Sequence, residues 1–253
     1  MGMPARQAVE FFHLVFLRAL VAKGDDKGLF AVKGGCNLRF FFGSVRYSED
    51  LDIDVAVVAK ETLKRKIDRL LVSPTLVAPL RARGIELVDI STPKQADTRQ
   101  RWKAGLKAAA FPLPIRTTVE FSRRGRIEGA RFEAVDSAIL RGNALPPFLA
   151  THYSASQAVE QKIHALAGRT EPQARDVFDL SHLFARQGPS TSALATEKRY
   201  LSLAINHALG ISFDEYSSQV VAYLDPDQRE LFAERSVWNV MQTTVISRLE
   251  ALQ

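Results

Sequence analysis

A single cysteine, Cys36, in 253 residues rules out an intrachain disulfide and suits a reducing compartment. Neither a second cysteine nor a histidine stands at zinc-ligand spacing from it. Histidine is scarce, five in all. His164 and His182 share no metal-ligand spacing and are read as structural. No Ser-His-Asp arrangement and no Walker-type glycine loop occurs. Long apolar runs are missing too: none approaches the roughly 18 residues that cross a bilayer. The apolar stretch 9–22 is interrupted by Glu10, His13 and Arg18 and lacks the basic start and small-residue cleavage site of a signal peptide. The expectation is a cytoplasmic protein without a membrane partner, free of repeats and low-complexity tracts.

What is abundant is positive charge, unevenly placed. The net charge is +6 with a pI near 9.5. Residues 60–131 hold 17 Lys/Arg against 7 Asp/Glu, whereas residues 190–253 hold 5 against 8. A basic half favours an anionic partner, and a phosphate backbone is one that fits; a merely solvated basic surface is the other reading.

Acidic residues concentrate at one point. A short apolar run (29–32) meets the turn Lys33-Gly34-Gly35, a helix over 37–42 follows, and after a loop containing Ser48 comes a strand over 50–58. Asp50 and Asp52 alternate on that strand, so both side chains leave one face. Carboxylates that close repel, and a divalent cation relieves the repulsion. Mg²⁺ is usually held by one or two carboxylates plus substrate phosphates. Asp54 shares the face, farther along. Gly34 and Gly35 let backbone approach a phosphate and open a helix whose N-terminus attracts anions.

The periodicity predicts α+β organisation followed by a mostly helical part. Helices are expected over 4–23 and 61–71, and strands over 85–90, 115–122 and 132–135. Residues 73–79 and 82–84 break the pattern, and 94–111 is loop or an irregular hairpin. Beyond a proline-containing boundary at 143–148, helices are expected over 156–168, 175–187, 196–209, 214–224 and 227–252. The implied domains are 1–145 and 146–253.

These residues resemble a family. Strand, Gly-Gly turn, helix, and a strand with Asp50 and Asp52 look like the core of the polymerase-beta-type nucleotidyltransferase fold. The fuller pattern Lys33-Gly34-Gly35, Arg39, Arg46, Ser48, Asp50, Asp52 resembles the AbiEii/AbiGii-type nucleotidyltransferase toxins, which include the mycobacterial MenT toxins. A second block, Glu160, Lys162 and then Arg175, Asp176, Asp179, is similar to that family's Lys helix and Arg-Asp helix. The likeness is good over 29–58 and 156–184. One departure is Cys36-Asn37, where the family has a small hydroxyl residue and Ala.

The resemblance implies a minimal nucleotidyltransferase fold, a mixed sheet flanked by helices, with a helical C-terminal part that contributes Lys162 and Asp176 to the site. It implies transfer of a nucleoside monophosphate from an NTP, CTP or UTP, to the 3′ end of tRNA, blocking aminoacylation, with Mg²⁺ or Mn²⁺. Asp50, Asp52 and Glu120 are the expected metal ligands, Glu120 completing the set from a neighbouring strand. Lys33, Gly34, Gly35, Ser48, Arg39, Arg46 and Lys162 are expected around the nucleotide. Asp176 would orient basic side chains, and Asp179 would be a structural partner, with Arg175 the candidate. The basic 60–131 region would meet tRNA, and a cognate antitoxin is implied. Two rivals stay open: the same chemistry on a protein or small molecule, and a catalytically degenerate binding module.

Overall fold

Apolar residues at three- and four-residue spacing form α1 (Ala5–Leu20), with Phe12, Phe16 and Leu20 buried along one side. Each such side chain stabilises by about 1.5–3 kcal/mol when fully buried. The computed structural model describes residues 3–22, 28–187 and 196–253; residue 23 of the expected helix lies outside them. The chain divides into two units, one of residues 1–41 and 47–153, the other of 42–46 and 154–253.

In the first unit the chain continues through β1 (Phe30–Lys33), α2 (Gly34–Phe42), β2 (Asp50–Val55), α3 (Lys60–Leu71) and α4 (Pro74–Ala82). Then come β3 (Glu86–Gln95), β4 (Arg99–Lys107), β5 (Ile115–Arg123), β6 (Ala130–Ala134), α5 (Ser137–Gly142) and β7 (Leu149–Tyr153). The seven strands form one mixed sheet in the order β3-β4-β5-β2-β1-β7-β6. β2 runs parallel to β5 and antiparallel to β1. One face presents Leu51, Ile53, Val119, Phe121 and Trp102 to the core that α1, α3 and α4 help to build. The opposite face carries the alternate residues of each strand, the three aspartates of β2 among them.

Three expectations change here. Residues 73–79 and 82–84 were to break the pattern, yet α4 is a helix. Pro74 takes its first turn, where a missing N–H costs nothing, and Leu76 and Leu80, four apart, are both buried. Residues 94–111, expected as loop or irregular hairpin, contain the regular strand β4, which pairs along β5 from Arg99↔Ser122 to Leu106↔Ile115. The domain boundary moves as well. Residues 149–153, just past the prolines, form β7, paired with both β1 and β6, so the unit ends at Tyr153 rather than at 145.

The second unit is helical: α6 (Ala155–Gly168), α7 (Ala174–Gln187), α8 (Lys198–Gly210), α9 (Phe213–Gln219), a 3₁₀ turn (Val221–Tyr223), α10 (Pro226–Phe232) and α11 (Arg235–Glu250). Ser154 caps α6 through the Gln157 N–H, and Ser212 with Glu215 makes a capping box on α9. The single helix expected over 227–252 splits at Ala233 and Glu234, where Glu234 turns extended. The Tyr216 hydroxyl donates to the Phe232 carbonyl at 3.0 Å, satisfying a helix-end acceptor. Tyr216 also stacks on Trp238 at 4.6 Å within this core.

Candidate active site

The β1–α2–β2 segment brings most of the first block together. Lys33 of β1 pairs in register with Asp52 of β2, and Asp52 with Glu120 of β5. α2 begins at Gly34, which adopts φ +65°. A Cβ placed there would lie 3.0 Å from the Asp52 Oδ2. Glycine is therefore required twice, by backbone conformation and by the carboxylate against it. Asp52 in turn lies at the positive end of α2, where a negative charge is favoured.

A string of polar side chains runs behind this strand. The Cys36 thiol donates to the Asp50 carbonyl at 3.3 Å. The Ser48 hydroxyl donates to the same carbonyl at 2.9 Å. Thr117 donates to the Glu49 carbonyl at 2.7 Å and meets His13 Nε2 at 2.8 Å, while His13 Nδ1 faces the Cys36 sulfur at 3.5 Å. Together these fix the entry of β2. Burial holds His13 down at about 3, neutral at ordinary pH. Burial likewise pushes the Cys36 thiol well up, with Asp52 adding to it, so it stays protonated. Asn37 ties α2 to β7, donating to the Tyr153 carbonyl at 3.0 Å and meeting His152 Nδ1 at 2.9 Å.

Lys33 and Arg39, also expected around the nucleotide, have acidic partners within the fold. The Lys33 ammonium lies 2.5 Å from Asp54. Asp54 is buried and also accepts from the Tyr153 hydroxyl at 2.7 Å and from Arg124 at 3.4 Å. With three donors satisfied, Asp54 is an anchor for β1, β2 and β7. Arg39 pairs with Glu10 of α1 at 2.5 Å and stacks over Tyr47. Glu120, the expected third metal carboxylate, has guanidinium partners: Arg99 Nε at 2.9 Å and Arg101 Nη2 at 2.5 Å. Among the described residues no three His, Cys, Asp or Glu converge where they could hold a metal ion.

The second unit gathers Arg46, Lys162, Asp176 and Asp179. Lys162 Nζ, buried, lies 2.9 Å from Asp176 Oδ1 and 2.6 Å from Asp179 Oδ2. Arg169 Nε donates to Asp176 Oδ2 at 2.7 Å, so Asp176 holds two basic side chains. Arg46 reaches both oxygens of Asp179, with its Nη2 at 3.1 and 2.9 Å. Asp179 is thus the partner of Arg46 and Lys162, not of Arg175, because it points into the α6–α7 interior where those two cations lie. Burial disfavours the Asp179 charge, but Arg46 and Lys162 outweigh it and hold the carboxyl at about 2. Burial also opposes the Lys162 charge, and Asp176 and Asp179 reverse this, leaving its pKa raised. His182 bonds the Phe42 carbonyl at 2.7 Å and His164 packs edge-on to Tyr200, both structural.

A Gly-opened helix between two strands, with paired aspartates on the second, is the nucleotidyltransferase arrangement, and the comparisons agree. The model of the nucleotidyl transferase AbiEii toxin family, a type IV toxin–antitoxin system, matches residues 15–241. The chain belongs to that family, and it is a nucleotidyltransferase of the toxin type. Its fold is similar to that of MenT4, a nucleotidyltransferase toxin from Mycobacterium tuberculosis H37Rv. There the TM-score is 0.58 at 15% identity, covering 98% of this chain and 84% of that one. It is also similar to JHP933 from Helicobacter pylori, with a TM-score of 0.57 at 17% identity over 99% and 96%. No curated protein matches the sequence. Among the described residues no helix is long and apolar enough to cross a membrane.

Proposed function

We propose that this chain transfers a nucleoside monophosphate from CTP or UTP to the 3′ end of tRNA in a divalent-metal-dependent reaction, in the cytoplasm, under control of a cognate antitoxin. The observation that carries the reading is the Asp50–Asp52 pair on β2, with Asp52 set against Gly34 at the start of α2. Two carboxylates and a triphosphate make an oxygen donor set suited to Mg²⁺. Bound there, the ion would neutralise phosphate charge and lower the pKa of the attacking hydroxyl.

The chain's own residues supply position. The first amides of α2, at Gly34 and Gly35, offer donors to phosphate oxygens. Cys36, Ser48 and Thr117 hold the backbone of Glu49 and Asp50 so that the carboxylates keep their spacing. The basic residues of 60–131 favour a polyanionic acceptor.

Incubation with labelled CTP or UTP, Mg²⁺ and total bacterial RNA tests this. Label should enter tRNA, and Asp50→Ala should abolish it. Label found in protein and never in RNA would move the acceptor to the rival class.

A further inference from the structure

Arg99 and Arg101 are two apart on β4, so both leave one face of the sheet, about 6.7 Å from each other along the strand. The register identifies that face. It aligns Lys94 on β3, Arg101 on β4, Glu120 on β5 and Asp52 on β2. A flanking row aligns Lys103, Thr118 and Asp50. The β4 cations therefore share the face of Asp50 and Asp52, while Gln100, Trp102 and Ala104 point to the core. Glu120 has both oxygens taken, Oε1 by Arg99 Nε at 2.9 Å and Oε2 by Arg101 Nε at 2.7 Å. One carboxylate serves two guanidinium groups, so one positive charge is left over. Lys94 and Lys103 add to it, and neither has an ion-pair partner among the described residues. Each guanidinium carries five N–H donors. Glu120 engages only part of each, and the two side chains stay 45% and 35% exposed. Partly exposed ion pairs add little stability, so the fold alone does not account for four cations gathered around one carboxylate.

We propose that Arg99 and Arg101, held in place by Glu120, bind phosphates of the nucleic-acid acceptor close to its 3′ end. The proposal rests on the reading of the acceptor as RNA whose end is brought to Asp50 and Asp52. Two strand spacings, about 10 Å, separate the row of Asp52 from that of Arg101, so the phosphates in reach are those of the last few nucleotides. Glu120 lies on that path. Alone it would repel a phosphate; paired, it is neutralised and fixes two forks whose geometry matches phosphate oxygens. Lys94 extends the cationic row by one more strand, away from Asp52. Phosphates of the nucleotide substrate share this chemistry, and the position of the arginines, beyond Glu120 from the Gly34 turn, favours the acceptor.

Steady-state transfer from labelled CTP or UTP by the full chain separates the two phosphate sources. The double variant Arg99→Gln, Arg101→Gln should raise KM for tRNA about tenfold and leave KM for the nucleotide within about twofold. Its binding of fluorescein-labelled tRNA without nucleotide should weaken alike, with a salt slope smaller by about one or two. The variant Arg99→Lys, Arg101→Lys keeps both charges and loses the forks; it should fall between, and it guards against a folding artefact. Arg65→Gln, Arg69→Gln removes the same charge from α3, on the other side of the sheet, and should raise the tRNA KM by at most about twofold. An equal rise in both Gln double variants makes the effect one of net charge and overturns the proposal. So does a raised nucleotide KM with the tRNA KM unmoved. Wild-type protein that labels no RNA, while its tRNA binding is still weakened by Arg99→Gln, Arg101→Gln, overturns the transfer reading and leaves the phosphate site standing.

Discussion

Removing the Asp179 carboxylate is expected to unfold the helical unit at low denaturant. Asp179 is completely buried and accepts from Arg46 and from Lys162, themselves only 7% and 10% exposed. Asp179→Ala takes from Arg46 and Lys162 the carboxylate they share and leaves Lys162 with Asp176, which Arg169 already uses. Breaking a buried pair in this way costs about 3–5 kcal/mol, chiefly because the stranded charges have lost their solvent. Protonation gives an independent figure. The carboxyl lies at about 2, against an ordinary 3.8, and one pKa unit is about 1.4 kcal/mol, so ionised Asp179 contributes about 2 kcal/mol. A depressed carboxylate stabilises the fold above its unfolded value and loses that contribution as pH falls from about 4 towards 2. The mutation costs more than protonation because it removes the acceptor atoms as well as the charge. Urea unfolding followed by circular dichroism at pH 7 measures the first figure, and a pH series the second. A loss under about 1 kcal/mol for Asp179→Ala would refute the view that this network is desolvated and mutually dependent.

Three other outcomes follow from the same geometry. Gly34→Ala should destabilise by about 1–2 kcal/mol through its left-handed backbone and, by displacing Asp52, lower kcat/KM about tenfold or more; a thermal melt and a labelled-nucleotide assay read the two effects. His13, held at about 3 by burial, takes up a proton only on unfolding, so stability should decline as pH falls from about 6.5 to 3. His13→Gln should flatten that decline in a urea–pH series, and an unchanged slope would assign the acid sensitivity elsewhere. Tyr153→Phe removes a donor from Asp54 and should cost about 1–2 kcal/mol with transfer activity retained, as befits an anchor rather than a catalytic contact.

The part of the site built from neighbours in sequence was the legible part. The run from Lys33 to Asp52 carries its own logic: a turn that needs glycine, a short helix, then alternation on a strand. Asp50 and Asp52 follow from that alternation alone. Partners distant in sequence were hidden. Arg46 and Asp179 are 133 residues apart, and no local pattern links them; the sequence offers Asp179 only nearby Arg175. The acids that pair with Lys33 and Arg39, Asp54 and Glu10, become their neighbours only in the folded sheet and α1. Strand β4 was readable in principle. Arg99, Arg101 and Lys103 alternate with inward Gln100, Trp102 and Ala104, but glutamine, alanine and Gly105 weaken the apolar half of the pattern. Two prolines masked α4, and the proline pair before residue 149 concealed β7, because proline is locally a chain breaker and the burial that offsets it exists only in the fold.

The central claim is that Asp50 and Asp52 form the metal-binding half of a nucleotide-transfer site. Transfer of labelled CMP or UMP onto purified tRNA, measured with Mg²⁺, with EDTA, and with the variants Asp50→Ala and Asp52→Asn, tests it most directly. The account predicts label at the tRNA 3′ end with Mg²⁺ only, and its loss in both variants while their melting profiles stay close to wild type. Undiminished transfer by a folded Asp52→Asn protein, or in EDTA, would contradict it.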